Sequence, residues 1–518
     1  MHALELALLI GLVLLAGNAL AWRLRLPAPL VLLVLGIVLG WVPGLDQVEL
    51  PPELVLVLFL PALLYWEALN ISTREMRRNL RVILLSAIPL VIATAAVVAL
   101  AGHAAGFPWA VAIALGAIVA PTDATAVGPL AGRLPRRIRT TLRSESLIND
   151  GTALTILAIA VTAIGHGTDV DFGMGALQFV WAYAGGVAVG IAAAYAVRLA
   201  RRAVRGQSLL ENTISVLTPF VAFVPAERLG VSGVIAVVTT GLILSHWGPR
   251  MVSARTRVQA NGFWQLVSGL LNGLLFLLVG LQAHRIVVDL DGAFGEVLLL
   301  GLWVALLVIL VRLAWIGTTP YLIRAIDRRP AQRLRRVTIR QRTVSGWAGF
   351  RGAVSLAAAL SLPQEGLPQR DVLVAITLIV IVVTLVLQGL TMPAVIRFAR
   401  LPADPSELEE ERLAERTMTD AGGRYLDRIA ERLGTPEDVV ARVRRQYEES
   451  HPAQREGLSG PAWADGSEGE LRRALIAKKR EAVIRLRDGG EIDDAVLTRM
   501  QSRLDIEELR LSPVDADD

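Results

Sequence analysis

The sequence predicts an all-α polytopic membrane protein: thirteen transmembrane helices in inverted repeats, helices 5 and 12 interrupted and crossing, then a cytosolic helical tail. Three observations lead there. Hydrophobic residues fill 53% of the 518 positions and the mean hydropathy is +0.52, above an ordinary globular chain. That excess lies before about residue 400, in apolar runs that can cross roughly 30 Å of hydrocarbon as helices with their backbone groups satisfied internally. Arginines, finally, crowd into every second connection between those runs.

The apolar runs fall at 3–22, 27–44, 52–71, 82–104, 108–130, 140–164, 173–200, 209–226, 230–247, 262–284, 294–323, 345–362 and 371–398. Met1 to Trp22 contains Glu5 and no early Lys or Arg. A secretory leader needs a basic leading region, so this stretch is expected to be a retained first helix. Six alternate connections, from Arg23 and Arg25 to the eight arginines between Arg324 and Arg342, hold 26 basic residues. The six connections between them hold three, Arg228, Arg285 and Arg370. By the positive-inside rule the rich set is cytoplasmic, which puts the N-terminus outside and the tail inside. One span more or fewer would scramble the alternation.

Two segments follow from composition. Residues 1–400 carry 33 basic and 19 acidic side chains, whereas 401–518 carry 19 and 28. The basic charge sits in short loops, where it reads as a topology signal, and nucleic acid is not expected as a partner. The acidic segment is expected to be a mostly helical regulatory or assembly tail. Glu407 to Arg416 is dense in i,i+4 pairs that favour an exposed helix. Residues 451–469 have a linker composition, and a helical pattern runs from Glu470 to Arg487. With no cysteine in the chain, thiolate chemistry and disulfides are excluded.

Function in such a chain is sought among ionisable residues inside apolar spans, each costing about 2.5–3.5 kcal/mol to place there. The candidates are Glu67, Asp123, Glu145, Asp150, Arg312 and Arg351. In the fifth span Pro121 precedes Thr122 and Asp123 and removes a backbone donor, so the helix is expected to break there. Freed backbone groups can then face a cation, or Asp123 can support the second half-helix. In the sixth span Glu145 and Asn149 stand i,i+4, as do Ser146 and Asp150, placing two polar rows on one helix face. Gly151 to Ile164 alone is too short to cross, so that polar stretch is expected to be buried. The twelfth span is short and glycine-rich around Arg351, whose burial calls for a carboxylate partner such as Glu145 or Glu67. Two interrupted spans in the two halves of the chain point to inverted repeats around a midplane site.

These residues resemble the sodium/proton antiporters of the electroneutral branch of the monovalent cation:proton antiporter superfamily, with its bacterial and archaeal exchangers and animal relatives. The resemblance is carried by Pro121-Thr122-Asp123, Glu145-Ser146 with Asn149-Asp150-Gly151, and Phe350 to Leu356. Leu60 to Ala68 and Phe276 to Leu281 add to it. It implies thirteen helices, a homodimer, and a core that moves against a dimerisation unit. It implies that Asp150 holds either cation or proton, that Asn149 replaces a second acid, and that Thr122 and Asp123 form the unwound pair. Ser146 and Glu67 match further ligands, and Glu145 with Arg351 matches a buried ion pair organising the core. Many relatives have proline after the Thr-Asp pair, where this chain has Ala124.

The expected chemistry is competition. Na⁺, Li⁺ or K⁺ takes oxygen ligands, which Asp150, Ser146 and Thr122 can supply, and a proton can replace it on Asp150. With Asn149 neutral, one proton per cation is the simplest stoichiometry. The expected partners are a second copy of the chain, the lipid of a cell (inner) membrane, and the transported ions, with no cofactor and no enzymatic activity. A sodium-coupled symporter of an organic anion on a related crossed-helix fold is the alternative, and it requires a roomier polar cavity.

Overall fold

The computed structural model describes residues 2–24, 26–42, 55–123, 134–166, 171–290, 294–326, 338–363, 367–401, 406–449 and 466–511. Their secondary structure is helical throughout, with no strand among the described residues. The apolar part comprises α1 (His2–Leu24), α2 (Ala28–Leu39), α3 (Val55–Leu69), α4 (Thr73–Ala104), α5 (Trp109–Val119), α6 (Arg136–His166) and α7 (Phe172–Ala203). It continues through α8 (Ser208–Arg228), α9 (Gly233–Met251), α10 (Ala254–Asp289), α11 (Phe294–Ile326), α12 (Ile339–Trp347), α13 (Ala353–Leu360) and α14 (Arg370–Ala399). Among the described residues eight helices are long and apolar enough to cross a membrane, while α2, α3 and α5 are apolar but shorter.

Local chemistry explains the interruptions. Helix α5 stops at Val119 because Pro121 has no N–H to offer the helix. Continuation of that span from Ala124, including its departure from the usual proline, lies outside the described residues. The twelfth predicted span divides into α12 and α13, with residues 348–352 non-helical between them. Helix α3 opens on a wider π turn over Val55–Phe59 just before Pro61, and α14 contains another at Thr384–Gln388. Such turns free backbone groups inside a helix and occur often at functional positions. Ser72 caps α4 by accepting the Glu75 N–H.

Packing puts backbones in contact where side chains are smallest. A Cβ on Gly36 would lie 2.2 Å from the Leu277 carbonyl, and one on Gly280 would lie 2.3 Å from that of Leu33. Helices α2 and α10 therefore cross with glycine against backbone, the small-residue packing that suits association in lipid. Helices α4, α5 and α6 pack on one another, α11 packs on α14, and α9 packs on α3, α7 and α8.

After residue 405 come α15 (Ser406–Leu433), α16 (Glu437–Glu449), α17 (Ser467–Asp488) and α18 (Asp494–Arg510). Helices α15 and α17 lie along each other. Ala414, Val483, Val496 and Met500 form one apolar core among these helices, and Leu426, Ile429, Val443 and Leu471 form another. The helical readings near Glu407 and Glu470 fall on α15 and α17. Most of the linker stretch, residues 450–465, lies outside the described residues. The stretch from Glu407 is less exposed than its charge pattern suggests, because Ala414 is fully buried and Glu410 meets Arg136.

Candidate functional site

The two helix breaks meet. The N–H of Asp123 donates to the carbonyl of Phe350 at 2.8 Å, joining the end of α5 to the extended stretch before α13. Gly352 is extended and lies directly on the Asp123 side chain: a Cβ there would come within 2.1 Å of Asp123 Oδ2. Gly352→Ala is expected to force the breaks apart and destabilise the protein by about 1–3 kcal/mol. Thermal melting reads this directly, and an unchanged melting temperature would contradict so close a contact.

Helix α6 presents its polar rows to this junction. Asn149 Nδ2 donates to Thr122 Oγ1 at 2.8 Å and to the Thr122 carbonyl at 3.4 Å. The Thr122 hydroxyl donates to Glu145 Oε1 at 3.5 Å. One i,i+4 row of α6 therefore holds the unwound end of α5, satisfying polar groups that the break would leave bare. Glu145, Ser146, Asn149 and Asp150 are all buried, as the length argument requires.

The ion pair differs from the expectation. Glu145 is bonded to Arg312 of α11 at 2.5 Å, not to Arg351, and both side chains are almost wholly buried. A second guanidinium nitrogen of Arg312 donates to the Ser345 carbonyl at 3.2 Å, tying α6 and α11 to α12. Arg351 instead turns back on its own break, with Nη1 donating to the Gly349 carbonyl at 2.9 Å and its backbone N–H to Thr384 Oγ1 at 3.2 Å. The physical reason is local. A broken helix exposes carbonyls beside Arg351, and a guanidinium with five donors satisfies one of them without a carboxylate. The sequence flagged Arg312 as a lone charge in an apolar helix, but nothing in the spacing linked it to Glu145.

The second row, Ser146 and Asp150, faces a cavity of about 30 Å³. Glu67, Thr122 and Asp123 line it too, so the predicted ion-binding residues Asp150, Asp123, Thr122, Ser146 and Glu67 converge on one space. Asn272 of α10 and Ser355 of α13 complete the polar lining, and neither was singled out from the sequence. Ser355 Oγ is buried with no hydrogen-bond partner among the described residues. A lone amide in the apolar Leu271-Asn272-Gly273 run was the available signal for Asn272. No Arg or Lys lies within ion-pair distance of Asp150 among the described residues. Three carboxylates around so small a space repel one another unless cations or protons share it.

A larger cavity of about 620 Å³ leads away from the site. The two share Leu63, Glu67 and Asn272 as walls, which sets Glu67 at the throat between them. Arg143, Arg201 and Arg257 line the larger one, marking it as opening on the arginine-rich face.

The family described as sodium/hydrogen exchanger, transmembrane, matches residues 9–398. A Mycobacterium tuberculosis protein named an uncharacterized Na(+)/H(+) exchanger is 40% identical over 517 residues, 97% of this chain and 95% of its own length. The Na(+)/H(+) antiporter ApNhaP of Aphanothece halophytica is 31% identical over 391 residues, covering 74% of this chain and 71% of that one. Among solved structures, the sodium proton antiporter MjNhaP1 of Methanocaldococcus jannaschii shares the fold with a TM-score of 0.58 at 17% identity. The match covers 77% of this chain and 99% of that one.

Proposed function

This chain belongs to the sodium/hydrogen exchanger family, a family of membrane transporters and not of enzymes, and from that premise we propose that it exchanges one monovalent cation for one proton at the cavity beside Asp150. One observation carries the reading: a carboxylate-lined cavity of about 30 Å³ lies where the two helix breaks meet. That is room for one water-sized occupant. An organic anion does not fit in that space.

In this reading Asp150 holds either the cation or the proton. Ser146 and Thr122 supply further oxygens to the cation, Asp123 and Ser355 complete the ring, and Glu67 passes ions between the site and the larger cavity. Asn149 and Glu145 act indirectly, holding the broken end of α5 against α6. Arg351 braces the facing break. Asn149 adds no titratable group, so a single proton balances a single charge and the cycle moves no net charge. Thirteen spans, with α5 and the α12–α13 pair as the crossed interrupted helices, provide two repeats that rock to expose the site alternately. The protein works as a homodimer in the cell (inner) membrane with its acidic tail in the cytoplasm.

Fluorescence dequenching in inverted vesicles tests this, with Na⁺, Li⁺ and K⁺ added in turn across a pH range under an imposed membrane potential. At least one cation is expected to release the stored proton gradient at a rate that ignores the potential. A rate that follows the potential rules out one-for-one exchange. Silence with all three cations rejects the exchange reading itself.

A further inference from the structure

The row of α6 that carries Ser146 and Asp150 does not end at the small cavity. Arg143 stands three residues before Ser146 and seven before Asp150, about two helical turns along the same face, and it lines the larger cavity. That row therefore runs from the wide space, past Glu67 at the throat, to Asp150. A fixed positive charge stands on the route that a cation would take. Arg143 is not committed elsewhere. Its side chain is exposed, and among the described residues no hydrogen bond or salt bridge holds it. Arg257, on the same cavity wall, is by contrast bonded twice to Asp505, at 2.6 and 3.2 Å, which offsets its charge. The charges of Arg143 and Glu67 act on each other across the throat. An exposed side chain without such bonds adds little to stability, so its replacement is expected to leave folding intact.

We propose that Arg143 is a tethered counter-charge to Glu67, which compensates that carboxylate while the throat is empty and opposes the cation that comes to replace it. Affinity for cations entering from the arginine-rich face is thereby lowered. The inference rests on the exchange reading above. Two cations beside one carboxylate repel each other, so each weakens the other's hold on it. Arg143 touches neither the transported cation nor the proton; it is a positioning residue that acts through Glu67. An ion pathway needs binding strong enough to load the site and weak enough to empty it, and Arg143 shifts that balance toward release at this face.

The test grades charge at one position of the full chain, in inverted vesicles whose arginine-rich face meets the added cation. The cation is whichever of Na⁺, Li⁺ and K⁺ gives the fastest wild-type flux. Arg143→Gln is expected to lower its apparent KM about threefold to tenfold without raising the maximal rate, and Arg143→Glu to lower it further. Arg143→Lys keeps the charge and is expected to stay within about twofold of the wild-type KM. In a Glu67→Gln background the effect of Arg143→Gln is expected to shrink to a small fraction, because the carboxylate through which it acts is gone. A KM that does not fall in Arg143→Gln, or a lysine variant that behaves like the glutamine one, overturns the counter-charge. An undiminished effect in the Glu67→Gln background overturns it too. Should Arg143→Gln fold poorly, Arg143→Glu carries the same comparison, and should Glu67→Gln transport too slowly to assay, the charge series decides. Absence of cation-dependent proton flux in the wild type would reject the exchange reading and this inference with it, whereas intact exchange with a KM indifferent to the charge at position 143 rejects this inference alone.

Discussion

Asp150→Asn is expected to reduce cation-dependent proton flux in inverted vesicles to the level of empty membranes while the protein remains folded. The amide has nearly the shape of the protonated acid, so packing around Ser146 and Thr122 is preserved. Among the described residues Asp150 has no ion pair to lose, and the substitution removes one of three mutually repelling carboxylates at the cavity. Its effect on stability is therefore expected to stay within about 1 kcal/mol. What disappears is the capacity to carry a proton in one half of the cycle and a cation in the other. Flux and melting temperature measured on the same preparation separate the two effects. Retained exchange would move the transporting carboxylate to Asp123 or Glu67, which share the cavity.

The largest loss of stability is expected from Arg312→Ala. Removing one partner of a buried ion pair leaves the other charge unpaired in a medium that solvates it poorly, at a cost of about 3–5 kcal/mol. Glu145 is bonded to Arg312 at 2.5 Å with almost no exposure of either side chain. The substitution also strips the Ser345 carbonyl of its donor. Among the described residues the Arg351 side chain bonds the Gly349 carbonyl and no carboxylate, and for loss of such a bond about 1–3 kcal/mol is the expected scale. Arg312→Ala should accordingly melt well below Arg351→Ala in detergent. Adding Glu145→Gln should recover part of the Arg312→Ala loss, because it removes the stranded charge. The reverse order of melting temperatures, or no recovery, would return Glu145 to Arg351.

That reassignment shows where reading the chain in one dimension ends. Burial of Glu145 and Asp150 followed from span length, because fourteen apolar residues after Gly151 cannot cross a bilayer. Their shared face followed from helical spacing, and the contacts of Asn149 with Thr122 realise the row that spacing predicted. Partner choice did not follow. Arg312 and Arg351 lie on different helices, each buried and each in need of an acceptor, and only their arrangement in space decided that one meets Glu145 while the other turns to Gly349. Asn272 escaped notice, and Ser355 drew none beyond its place in the Phe350 to Leu356 motif, for a related reason: single polar residues in helices are common, and only the cavity makes these two significant.

By itself the sequence determined an all-helical membrane chain with a charged tail, the position of the break at Pro121, and the helix face that carries the acids. Each of these depends on covalent geometry or local periodicity: a missing N–H, a 3.6-residue repeat, a minimum length of apolar chain. Only the tertiary structure decided that the Asp123 backbone bonds to Phe350 across more than two hundred residues, which arginine is bonded to Glu145, and that the acidic helices meet Arg136, Arg250 and Arg257. Those outcomes depend on where distant segments meet. Hydrogen bonds and ion pairs are formed by distance in space, which separation along a chain does not encode.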